Sequence, residues 1–170
     1  VIETRDGGTS WHPVYTRRAG PDSWGTTGIE TTCLWDIAVH PAKPERVFLG
    51  YYDISLLRTD DGGKSFTSLR GKFDEGYRCN SLAVTIDPDN PDIVYASGGP
   101  PGDEAEVYGR IFKSVDGGIR WHCTAYEENG FPGGLIRHIL IDPSSPTDKR
   151  TLYASNSPNG VFKSIDGGRS

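Results

Sequence analysis

The chain has 170 residues, a net charge of −5 and 35% hydrophobic residues, with 22 glycines and 12 prolines. This is the composition of a turn-rich globular domain long enough to bury a real core. The mild acidity and the lack of Lys/Arg clusters argue against nucleic acid or membrane as partner, and no apolar run approaches the ~18 residues that span a bilayer.

Residues 1–14 read as the end of one structural unit: a turn at Asp6-Gly7-Gly8, then a strand carrying Trp11. Residues 15–32 read as a long polar connection containing Trp24 and Gly28-Ile29-Glu30. Leu34 to Val39 reads as a strand stopped by His40-Pro41, and Arg46 to Tyr51 as a second. Ile54 to Arg58 is a third, leading into Asp61-Gly62-Gly63, and Lys64 to Leu69 is a fourth. The same parts return in order. Leu82 to Ile86, Ile93 to Ser97, Arg110 to Lys113 and Trp121 to Tyr126 form a second set around Asp116-Gly117-Gly118. Ile139 to Ile141, Thr151 to Ala154 and Val161 to Lys163 begin a third, ending in Asp166-Gly167-Gly168.

The repeated element is Ser/Thr-x-Asp-Gly-Gly followed by an aromatic. Its aspartates are Asp6, Asp61, Asp116 and Asp166, at steps of 55, 55 and 50 residues. The glycines accept positive φ, and the Asp carboxylate can take backbone N–H groups inside the turn, helped by the hydroxyl two residues earlier. All four aspartates are therefore read as turn-formers rather than catalysts. Trp11 and Trp121, by their repeat position, are read as core aromatics.

Four short strands in meander order every 50 residues or so make a propeller blade. The expectation is an all-β chain: a fragment, about three four-stranded blades, of a β-propeller with Asp-box hairpins. It is one partial domain over 1–170, with a blade end at 1–14 and blades at about 33–69, 79–126 and 137–170, the last incomplete. The lack of any Met and the end inside a repeat also lead to the expectation of a fragment. Cys33, Cys79 and Cys123 show no metal or disulfide spacing and read as buried free thiols.

Thr59-Asp60-Asp61-Gly62-Gly63-Lys64-Ser65-Phe66 and Ser114 to Trp121 resemble the Asp-box (bacterial neuraminidase repeat) propellers, which include sialidases, sortilin-type receptors and family 74 xyloglucanases. Gly28-Ile29-Glu30-Thr31-Thr32, Leu34 to Val39 and Gly50-Tyr51-Tyr52-Asp53-Ile54 to Arg58 resemble the last of these most. In that family a Gly-Ile-Glu segment precedes a strand, and a Gly-Asp-Ile-Gly-Gly-Phe-Arg-like stretch carries a catalytic Asp. Asp53 falls on that position. Tyr52 and Ser55 stand where the family has small residues, mostly Gly.

Strand order adds a geometric argument. In a meander the first and third connections share one end of the blade, so the Asp-Gly-Gly turns lie with the Pro41, Pro88 and Pro143 turns. The other end collects the irregular loops, where function usually sits. Those loops are expected to bring Asp53, Glu30, Asp74 and other carboxylates together with Trp24, Tyr51, Tyr52 and Tyr77. Carboxylates with aromatic platforms suit a neutral polysaccharide.

The resemblance implies a secreted glycan-active propeller hydrolysing β-1,4-glucan or xyloglucan with paired carboxylates, located extracellularly or in the periplasm. Asp53 is the candidate catalytic residue, and Glu30, Trp24, Tyr51, Tyr52 and Tyr77 are the candidate substrate contacts. The second carboxylate is expected from a second propeller of the same full-length chain, so this chain alone is expected to be inactive. No metal or cofactor is expected. The alternative is a non-catalytic Asp-box propeller that binds protein or glycan, as sortilin-like receptors do.

Overall fold

The computed structural model describes residues 2–13, 16–26, 33–74, 81–99 and 109–170. These residues form antiparallel β-structure, with one 3-10 turn at Glu127–Asn129. A first sheet holds β5 (Leu34–His40), β6 (Lys43–Tyr51), β7 (Ser55–Thr59) and β8 (Phe66–Ser68) in sequence order. A second holds β9 (Val84–Asp87), β10 (Asn90–Gly98), β11 (Arg110–Ser114) and β12 (His122–Ala125). The third has β13 (Leu135–Ile141), β14 (Leu152–Ser157) and β15 (Gly160–Ser164). Each is a meander, and they stack as neighbouring blades of a propeller arc through their first strands, β5 on β9 and β9 on β13. A separate hairpin pairs β1 (Ile2–Glu3) with β2 (His12–Pro13).

Two apolar layers hold the stack. Phe48, Leu56, Phe73, Phe112 and Trp121 fill the space between the first and second blades. Tyr95, Ile111, Phe131, Ile139 and Leu152 fill the next. Trp121 is fully buried, stacks on Phe73 at 5.2 Å and meets Phe48 edge-on at 6.3 Å. A ring from one blade thus closes the core of the blade before it, which is why a single blade cannot be stable by itself.

Each Asp-Gly-Gly turn is closed by its own side chains. Thr59 donates its hydroxyl to Asp61 at 2.8 Å and accepts the Gly63 N–H at 3.0 Å; Ser65 donates both its N–H and its hydroxyl to Asp61, at 2.9 and 2.6 Å. Ser114 repeats the first two bonds with Asp116 and Gly118, both at 2.8 Å. The hydroxyls of Ser10 and Ser170 lead the set of donors that holds Asp6 and Asp166 down at about 2.

The turns also dock beside the first connection of a blade, on or just before the start of its second strand. Gly62 N–H donates to Glu45 O at 3.0 Å, Gly117 N–H to Asp92 O at 2.9 Å and Gly167 N–H to Arg150 O at 2.9 Å. First and third connections therefore share one end. That end is also where charge ties the blades together. Arg46 bridges Asp60 of its own blade and Asp92 of the next, at 2.8 and 2.7 Å. Arg150, 2% exposed, makes two bonds to the equally buried Asp87 and reaches Asp89 as well.

Three expectations change. Residues 15–32 are not simply a connection: β3 (Thr16–Arg18) and β4 (Ser23–Thr26) form a hairpin that pairs with β8 and extends the first sheet to six strands. The short polar strands escape a hydrophobic-pattern reading because they add to the outer edge, where little apolar burial is required. Trp11 is 55% exposed rather than core, because β1 and β2 pair only with each other among the described residues. Cys33 is exposed, just outside β5, and Cys123 is half-buried; Cys79 lies outside the described residues.

Candidate functional site

At the end opposite the Asp-Gly-Gly turns, the β6–β7 connection is the tight turn Tyr52-Asp53-Ile54. It is pinned on both flanks. The Tyr52 N–H donates to Cys33 O at 3.1 Å, and Tyr51 O accepts the Ser81 N–H of the next blade at 3.0 Å. Asp53 is exposed between half-buried Tyr51 and Tyr52 on one side and buried Ser55 on the other. Ser55 is the one non-glycine described residue with positive φ, +74°, and its buried hydroxyl has no hydrogen-bond partner. Both features cost free energy, and such strain gathers where a turn must hold one side chain in place. The family resemblance puts a small residue, mostly Gly, at this position, and the positive φ supplies the physical reason.

Two further side chains stand at this end that the strand pattern did not single out. Strand β5 skips register between Leu34 and Asp36, leaving Trp35 as a bulge residue 52% exposed. Strand β13 skips in the same way between Ile136 and His138, leaving Arg137 exposed. The Arg137 guanidinium lies 5.5 Å from the centre of the Trp35 ring, joining the first and third blades across the inner strands. Bulges re-aim side chains out of a strand, and a hydrophobic count cannot see them. Beside Trp35, Asp36 accepts the Val84 N–H of the second blade at 2.8 Å. Gly50 lets the blades approach there: a Cβ on it would lie 2.9 Å from Ser81 O.

The structure thus brings Tyr51, Tyr52 and Asp53 together in one pinned turn. Trp24 is elsewhere. It sits on outer strand β4, paired with Phe66 near the Asp61 turn, with Arg18 over its ring at 5.8 Å. Its hairpin places it at the Asp-Gly-Gly end rather than among the irregular loops. Asp74 is also displaced. Its segment folds back along the outer edge, where Asp74 N–H donates to Trp121 O at 3.0 Å and its carboxylate meets His122 at 2.8 Å. Glu30 and Tyr77 lie outside the described residues.

Stacked antiparallel sheets, Asp-Gly-Gly hairpins at one end and a pinned acidic turn at the other define an Asp-box propeller arc. No family model matches the chain. It is 23% identical over 149 residues to a probable oligoxyloglucan-reducing end-specific xyloglucanase of Neosartorya fischeri, covering 84% of this chain and 17% of that protein. The crystal structure of an ancestral GH74 enzyme matches with a TM-score of 0.65 and 23% identity, over 86% of this chain and 19% of that one. The GH74 enzyme of Niastella koreensis matches with a TM-score of 0.55 and 23% identity, over 81% and 22%. YCF48 from Cyanidioschyzon merolae matches with a TM-score of 0.53 and 21% identity, over 82% and 36%. The fold is a GH74-like propeller, and the chain spans about a fifth of the length of the GH74 structures it matches.

Proposed function

We propose that this chain is part of a secreted propeller that hydrolyses a β-1,4-glucan of the xyloglucan type, with Asp53 as one of its two carboxylates. The observation that carries this reading is the pinned Tyr51-Tyr52-Asp53 turn at the irregular end of the first blade, in a chain whose curated relative is a probable xyloglucanase. Glycosidic hydrolysis takes one carboxyl group to protonate the leaving oxygen and another to activate water, about 6.5–9.5 Å apart when configuration inverts. The backbone bonds from Tyr52 to Cys33 and from Ser81 to Tyr51 hold Asp53 against such a substrate, and the half-buried tyrosine rings offer faces for sugar stacking. The partner carboxylate comes from a second propeller of the full-length chain facing this one across a cleft. Glu30 and Tyr77 are proposed as further contacts; Trp24, at the other end of its blade, would touch only a glycan running along the outer edge.

The test is Asp53→Asn in the full-length protein, assayed on xyloglucan and unsubstituted β-glucan. The expected result is a drop in kcat of about 10²–10⁴-fold with an unchanged circular dichroism spectrum. Normal cleavage by the variant removes Asp53 from the reaction. Glycan binding with no cleavage by the parent protein points instead to a non-catalytic binding propeller.

A further inference from the structure

At the Asp-Gly-Gly end, Arg46, Arg58 and Arg150 each meet an aspartate at 2.8 Å or closer. Arg137 stands at the other end and differs. It is exposed, and it has no carboxylate or hydrogen-bond partner among the described residues. Its guanidinium lies against the Trp35 ring instead, 5.5 Å from the centre. Stacking of this kind orients the planar group but leaves its fork of N–H donors open. Trp35 is itself 52% exposed, so the ring keeps surface for a ligand as well.

The pair faces the axis of the arc. Strands β5, β9 and β13 are the inner strands, and Trp35 on the first reaches Arg137 on the third over the second. A neighbouring blade covers the side faces of a sheet, not the inner edge that borders the channel, so this surface stays open in a complete ring. Two matching bulges build it, at Leu34/Asp36 and at Ile136/His138. The Asp36 bond to the Val84 N–H, 2.8 Å long, anchors the backbone beside Trp35. The pair also adjoins the Asp53 turn: Leu34 pairs with Tyr51, and Cys33 O accepts the Tyr52 N–H at 3.1 Å.

We propose that Trp35 and Arg137 form a subsite on the axis side of Asp53 for a uronic acid unit, its ring stacked on the indole and its carboxylate on the guanidinium. The proposal rests on the glycan reading above and names the sugar class at one position. An exposed indole offers an apolar platform for a sugar face. A guanidinium fork matches the two oxygens of a carboxylate, whereas a neutral sugar offers it only hydroxyls.

Calorimetric titration of the full-length protein carrying Asp53→Asn tests this with two probes: cellohexaose, and cellohexaose oxidised at C6 so that it carries glucuronate units. The acidic probe is expected to bind about 10-fold more tightly. Raised salt shrinks that preference. Arg137→Gln abolishes it, so that the two probes bind alike, and Arg137→Lys, with the charge but no fork, restores only part. Trp35→Ala weakens both probes by about 10-fold, because each loses the platform. Equal binding of the two probes overturns the proposal, as does a preference that survives Arg137→Gln or binding that Trp35→Ala leaves unchanged. Failure of the glycan reading looks different. Binding of neither probe overturns both readings together, whereas equal binding of both overturns only this one. If the Asp53→Asn protein still cleaves, Asp53 loses its role and the same preference is read from the acidic-to-neutral ratio of kcat/KM.

Discussion

Replacing Arg150 by Met should unseat the third blade from the second. Arg150 and Asp87 are 2% and 1% exposed, with Nε–Oδ2 and Nη2–Oδ1 distances of 2.7 and 2.8 Å. Arg150 also donates to Ser145 O at 2.6 Å. Methionine keeps much of the stem but leaves the Asp87 carboxylate buried with only backbone partners, such as the Asp89 N–H at 2.9 Å. Breaking a buried pair in this way costs about 3–5 kcal/mol. The contact with Asp89, 60% exposed, adds little to that figure. The pH dependence has a definite sign. In the parent, burial pushes Asp87 up, but the Arg150 hydrogen bonds and charge outweigh it and hold the carboxyl below its ordinary value. That stability is present above about pH 4 and is lost as pH falls through the depressed folded value. In the variant burial acts without the guanidinium, so the folded value rises and the penalty grows as pH rises through it. Urea unfolding followed by fluorescence of buried Trp121 should therefore show the largest deficit at pH 7 and a smaller one near pH 4. Arg150→Met with Asp87→Leu should recover most of the loss, because no charge is left buried. A single-variant loss below about 1 kcal/mol, or a double variant no better than the single, would refute the reasoning.

Three further outcomes follow from the same geometry. Gly118→Ala should destabilise clearly more than Gly62→Ala: both have positive φ and lose about 1–2 kcal/mol for it, but only Gly118 faces the Phe48 ring, and denaturant midpoints compare them. Ser55→Gly should stabilise by about 1 kcal/mol in thermal unfolding, since it removes both a φ of +74° and an unbonded buried hydroxyl. Tyr95, pushed up to about 12 by burial and then by the Asp87 charge, should appear in an ultraviolet titration as a tyrosine that ionises late, with Tyr95→Phe removing that phase.

The sequence by itself determined the repeat and the orientation of each blade. Asp-Gly-Gly is a local device: its glycines supply positive φ and its carboxylate collects hydrogen bonds within five residues, so four copies were legible without a structure. Counting connections in a meander then placed those turns with the first connections, and the Gly62, Gly117 and Gly167 bonds lie there. What depends on contacts between distant segments was not legible. The β3–β4 hairpin is polar and short, and only the free edge of β8 makes it a sheet. Trp35 reads as a strand residue and Arg137 lies ahead of the strand read at Ile139; two register skips turn both out of the strands that hold them. The same Gly-Gly pair is open at Gly62 and closed against a ring at Gly118, because that difference belongs to the neighbouring blade and not to the turn. Local hydrogen bonding is written in adjacent residues; burial and side-chain aim are set by what the tertiary structure packs on the other side of the sheet.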